Sequence, residues 1–168
     1  SISDPVWTAD GAQILYRLDN RLMSQSPYGS DATLLREEQL YPDHASRDGR
    51  LLIGGVGRPS DGGFGLFVLP ADGSGDRQTI SSGPYASDEG SFSPDGRWIS
   101  YQSDRSGRHE VYVMRFPDTG EHWQVSSDGG VQARWSADGR SLYYLDLTGQ
   151  LLRVAIPAGG PDQAGRPE

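Results

Sequence analysis

Ser91 to Ser126, SFSPDGRWISYQSDRSGRHEVYVMRFPDTGEHWQVS, is the stretch whose reading decides the fold. Pro94-Asp95-Gly96 is a turn by chemistry: Pro presets φ near −65°, Asp bonds its own backbone, and Gly accepts positive φ. Trp98, Ile99 and Tyr101 give the following strand β-branched and aromatic weight, and Ser106-Gly107 turns again. The next strand, Val111 to Phe116, is apolar on both faces. Val111 and Val113 point one way and Tyr112, Met114 and Phe116 the other, as in a strand held between two layers. Pro117-Asp118-Thr119-Gly120 leads into a fourth strand, His122 to Ser126. The unit is a four-stranded meander.

The same unit recurs. Asp-Gly turns stand at Asp10-Gly11, Asp48-Gly49, Asp95-Gly96 and Asp138-Gly139, every 38 to 47 residues. Trp7, Phe92 and Trp135 occupy the position three before the Asp in three copies, with Ala45 in the other, and Thr8, Ser46, Ser93 and Ser136 follow them. A lone meander cannot bury its two faces and must stack against copies of itself, which is the construction of a β-propeller. The fold class is therefore all-β, a propeller of four-stranded antiparallel blades, with four repeats at approximately 4–38, 39–83, 84–129 and 130–156. The remaining 157–168, rich in Gly and Pro, reads as an irregular tail.

In the first copy the strands after the turn are Gln13 to Leu18, Arg21 to Ser26 and Thr33 to Arg36. In the second they are Leu51 to Val56, Leu66 to Leu69 and Gln78 to Ser81, with a Gly/Pro/Ser-rich loop, Gly57 to Gly63, that reads as a mobile surface element. Ala45 and Arg47 replace the aromatic and the Pro in this copy, so a less regular inner strand is expected there. The fourth copy supplies Gln132 to Ser136, Ser141 to Leu145 and Gln150 to Ile156 but no clear outer strand, for which Gln163 to Glu168 is the only approach. The expectation is an open arc, its last blade incomplete, that is part of a larger ring or is covered by a second copy through its open edges.

Composition narrows the function. Fifteen basic against 23 acidic residues, a net charge of −8, disfavours nucleic acid and anionic membrane as partners. Zero cysteines exclude disulfides, thiolate metal sites and a Cys nucleophile. No apolar run reaches the roughly 18 residues of a membrane helix, and no secretory signal pattern is present. The chain does not begin with Met, which points to a first residue made by processing or by design. His44, His109 and His122 are scattered without metal-ligand spacing, so neither a metal nor another cofactor is expected. Ser74 lies in Asp72-Gly73-Ser74-Gly75, which is not a GxSxG elbow. The repeated turn Asp residues read as structure rather than as acid-base catalysts, and Asp104, Arg105 and Glu110 lack the alternating ligands of an EF-hand.

Phe92-Ser93-Pro94-Asp95-Gly96-Arg97, Ser103-Asp104-Arg105-Ser106-Gly107 and Glu110-Val111-Tyr112-Val113-Met114 resemble the repeat signature of TolB-type, WD-like β-propellers, over nearly the whole chain. The latter half also resembles propeller regions appended to bacterial serine/threonine kinases and related sensory proteins. The resemblance implies a non-enzymatic module that binds a protein or small ligand at the channel mouth, in an extracytoplasmic or periplasmic setting. It also implies that the inner strand lines the central channel. The residue before the repeated aromatic is Val6, His44, Ser91 or Arg134. His44 and Arg134 are thus ligand-binding candidates, joined by Glu89 and Gln132 two residues further up the strand. The alternative is the propeller of an enzyme, a prolyl oligopeptidase-like gate or a polysaccharide lyase, whose catalytic part lies outside these residues.

Overall fold

A computed structural model describes residues 2–58, 63–81, 83–117, 120–157 and 159–161. The first sheet contains β1 (Ile2–Trp7), β2 (Ile14–Leu18), β3 (Arg21–Gln25) and β4 (Ala32–Arg36). The second contains β5 (Leu40–Ala45), β6 (Leu51–Gly57), β7 (Phe64–Pro70) and β8 (Gln78–Thr79). The third contains β9 (Ser87–Phe92), β10 (Trp98–Ser103), β11 (Glu110–Arg115) and β12 (His122–Gln124). The fourth has three strands among the described residues, β13 (Val131–Trp135), β14 (Ser141–Leu145) and β15 (Leu151–Ala155). Each sheet is an antiparallel meander in chain order. Gln163 to Glu168, where an approach to a further strand was expected, lies outside the described residues, as does most of the tail.

One hydrogen-bond scheme closes every turn between the first two strands of a sheet. In the third sheet the Ser93 hydroxyl donates to Asp95 Oδ1 at 2.7 Å, that oxygen accepts the Arg97 amide at 3.1 Å, and the Trp98 amide donates to Ser93 Oγ at 3.0 Å. Thr8 with Asp10, Ser46 with Asp48 and Ser136 with Asp138 repeat it. The Gly after each Asp has φ between 68° and 72°, a backbone state open to Gly at no steric cost. In Asp10, Asp48 and Asp138 the Thr or Ser hydroxyl is the main force holding the carboxyl below its ordinary value. Burial pushes Asp95 up, but the Ser93 hydroxyl and Arg97 outweigh it.

Each inner strand also carries one register shift against its neighbour, between Ser3 and Val6, between Pro42 and His44, opposite Ser100/Gln102, and between Val131 and Arg134. These are β-bulges, which re-aim the side chains beyond them. The expectation of a less regular inner strand in the second copy is corrected here: β5 runs six residues with the same single bulge as the others. Its regularity comes from backbone pairing to β6 and from the Ser46-Asp48 turn, neither of which needs an aromatic at 45. Close approach at this bulge makes Gly54 obligatory, since a Cβ there would stand 2.1 Å from the Tyr41 carbonyl oxygen.

The core lies between sheets. Leu15 and Leu22 of the first pack on Leu40, Leu52, Phe67 and Leu69 of the second. Ile53, Leu66 and Val68 pack on Phe92, Ile99, Tyr101, Tyr112 and Met114 of the third. Val111 and Val113 then pack on Ala133, Leu142, Tyr144 and Val154 of the fourth. The alternation read along Val111 to Met114 is thus used in full, each set buried against a different neighbour. Burial of side chains of this size stabilises by about 1.5–3 kcal/mol apiece. The stacking runs first to fourth without extensive packing of the first sheet on the fourth, so the blades form an open arc. Its first face is uncovered: Trp7, the counterpart of Phe92, is 56% exposed where Phe92 is 2% exposed.

Of the loop 57–63, residues 59–62 lie outside the described residues. Arg58 at its start is tied to the next segment, donating to the carbonyls of Tyr85 at 2.6 Å and of Gly83.

Candidate ligand-binding cleft

The inner strands end in turns that converge from all four sheets. There they enclose a cleft of about 420 Å³, within the range of small-molecule sites. The first sheet contributes Trp7, the second His44, with Arg47 from the turn after it, the third Ser91 and Phe92, and the fourth Arg134 and Trp135. Among the described residues no carboxylate lines it.

His44 is fixed by its neighbour. The Phe92 amide donates to His44 Nδ1 at 3.2 Å, so the ring is neutral and carries its proton on Nε2. Burial, and then the Arg134 charge, lower its pKa below the ordinary 6.5. Arg134 spends two donors internally, one on the Ala133 carbonyl at 2.9 Å and one on Glu89 Oε2 at 3.2 Å. The Trp135 indole N–H donates to the Ser91 carbonyl at 3.3 Å, anchoring that ring to the adjacent blade. Arg47 is exposed and has no hydrogen-bond or ion-pair partner among the described residues.

The four sequence candidates are therefore divided. His44 and Arg134 meet at the cleft, whereas Glu89 and Gln132 stand behind it at the bulges, with φ of 54° and 56°. Glu89 reaches the site through its ion pair with Arg134. The backbone amide of Gln132 donates to Gln102 Oε1 at 3.1 Å, a link from the fourth blade to the third.

Sequence reasoning missed Asp43, which sits at the β5 bulge and accepts the Gly90 amide at 2.8 Å. Burial raises its pKa well above 3.8, and the nearby Glu89 and Asp88 carboxylates add to that against the pull of the Gly90 amide and Arg134. It also missed Arg47 as a site residue, although Ala9, Pro94 and Ala137 at the equivalent positions mark it as the one charged member of the set. No group of three His, Asp or Glu side chains among the described residues is arranged to hold a metal ion.

No family profile matches the sequence, and no curated protein matches it. Solved structures do. A TolB from Agrobacterium tumefaciens superposes with a TM-score of 0.77 at 20% identity, over 99% of this chain and 61% of that one. TolB from Acinetobacter baumannii gives 0.72 at 16% identity, over 95% of this chain and 41% of that one. A chain of a nidogen/laminin complex gives 0.69 at 12%, over 97% of this chain and 63% of that one. The chain has the fold of TolB-type and other WD-like β-propellers, and it spans less than two thirds of the length of each of these three.

Proposed function

We propose that the chain is a non-catalytic binding module that receives its ligand, a small molecule or a segment of a protein, in the cleft where the four inner strands end. The observation that carries this is convergence: side chains from four separate repeats reach one cleft, and at the position before the repeated aromatic they are His44, Ser91 and Arg134 in three of them, while the Ser/Thr-x-Asp-Gly turns around them do not vary. Constant turns serve the fold; variable residues at a shared position serve recognition.

The hydroxyls lining the cleft support a non-catalytic reading. Ser93 and Ser136 donate to turn carboxylates, and His44, the imidazole at hand, has Nδ1 occupied by a backbone amide. Neither hydroxyl donates to an imidazole or amine, and the carboxylates that accept them have lowered pKa values and close the turns, which suits structure rather than activation of a nucleophile. A role as the sensor region of a bacterial signalling protein is our reading of the resemblance in the latter half, with the propeller of an enzyme as the alternative. Self-association through the uncovered first face is a further part of the proposal.

The test is a ligand screen by thermal shift, with hits mapped by Arg134→Ala and Trp135→Ala, alongside peptide, ester and glycan hydrolysis panels. Hits whose shifts collapse in these variants are expected. Turnover that follows a single residue on mutation overturns the non-catalytic reading.

A further inference from the structure

We infer that the cleft selects a singly charged carboxylate carried on a flat apolar body, such as an aryl carboxylate or the free C-terminus of a peptide ending in an aromatic residue. This rests on the cleft being a binding site.

Charge is the first ground. In a chain of net charge −8, the cleft is lined by two guanidiniums and no carboxylate among the described residues. Arg134 is paired with Glu89 at 3.2 Å, while Arg47 makes no hydrogen bond or ion pair among the described residues; the turn carboxylates Asp48, Asp95 and Asp138 line the adjoining clefts with it and temper its charge, so it offers at most one positive charge to a ligand. One charge suits a carboxylate. A phosphate dianion would bring a second negative charge into an already acidic protein without a cation to meet it.

Donor geometry is the second ground. The planar guanidinium fork of Arg47 matches the two oxygens of a carboxylate. The Phe92 amide, by occupying Nδ1, leaves His44 Nε2–H as a further donor at the same cleft. Because His44 titrates below 6.5, this donor stays a neutral one through the physiological range, and the charge balance of the site does not change there.

The walls are the third ground. Trp7, Pro94 and Trp135 present apolar surface around these donors, with Phe92 buried behind them, and Trp135 is held at its indole N–H by Ser91. Flat rings stack on aromatic walls at little entropic cost.

Binding of 3-phenylpropanoate, the neutral 3-phenylpropanol, phenyl phosphate, and short peptides ending in Phe as the free acid or the amide is to be measured by calorimetry and by NMR. Arg47→Gln tests the charge, and Arg21→Gln, an exposed arginine of the first blade, controls for the same change in net charge. Carboxylates are expected to bind at least about tenfold more tightly than the alcohol and the amide, with that advantage lost in Arg47→Gln and kept in Arg21→Gln. Preference for the free-acid peptide over phenylpropanoate identifies a protein C-terminus as the source, and the reverse a small molecule. Equal binding of acid and alcohol, preference for the phosphate, an unaffected Arg47→Gln, or no binding of any acid at millimolar concentration overturns the inference. If another ligand class then binds and is lost in Trp135→Ala, the binding cleft stands; if ligands map elsewhere, both fall.

Discussion

The Phe92 backbone amide donates to His44 Nδ1 across the seam between the second and third blades. An inner strand of one blade thereby sets the tautomer of a side chain on another.

The first expectation concerns that imidazole. Its folded pKa is lowered by burial and by Arg134, so the unfolded chain takes up a proton that the folded chain refuses as pH falls below the ordinary 6.5. Stability should decline over that interval, and His44→Gln should remove this part of the decline. NMR titration of the ring with a midpoint at or above 6.5 would contradict the arrangement.

Asp43 behaves in the opposite sense. Its folded pKa is raised, chiefly by burial, so between 3.8 and the folded value the native chain holds a proton that the unfolded chain has released, and stability falls as pH rises through that window. Asp43→Asn keeps an oxygen for the Gly90 amide and removes the buried charge. The variant should melt above the parent at neutral pH, with the gain shrinking toward pH 4. A loss of stability equal at both pH values would show the charge to be compensated.

The two equivalent aromatics should part company on truncation. Phe92→Ala, at 2% exposure between Ile53, Tyr112 and Met114, should cost about 3–5 kcal/mol by leaving a cavity. Trp7→Ala, at 56% exposure, should fall within about 1 kcal/mol of the parent. Similar losses in denaturant melts of the two would mean that the first face is covered in solution, and sedimentation would then reveal the self-association.

Glu110 is the most buried carboxylate described, at 1% exposure. It accepts the Gly129 amide at 3.0 Å and the Arg108 guanidinium at 2.7 Å, and it also bonds the Ser126 hydroxyl. Glu110→Ala strands these donors and should cost about 3–5 kcal/mol, chiefly by releasing the segment that leads from the third blade to the fourth. Urea melts of the variant overlaying the parent would rule out that role.

The blade was legible in the sequence because its determinants are local. A Ser-Pro-Asp-Gly turn closes through bonds spanning at most five residues, and the two-residue alternation of Val111 to Met114 already states that both faces are buried. The repeat spacing carried this to four stacked blades, since a meander with two apolar faces must pack against copies of itself. His44 and Arg134 could be chosen because they vary at a position that the turns hold constant. What only the tertiary structure decided depends on neighbours remote in sequence: the Gly90 amide on Asp43, 47 residues away, Glu89 rather than a ligand facing Arg134, 45 residues away, and Arg47 left without a partner above the cleft. Such contacts arise from how tightly one twisted sheet seats on the next, and no local pattern encodes that. The regular β5 shows the same limit from the other side, because strand pairing with β6 overrode the missing aromatic at Ala45.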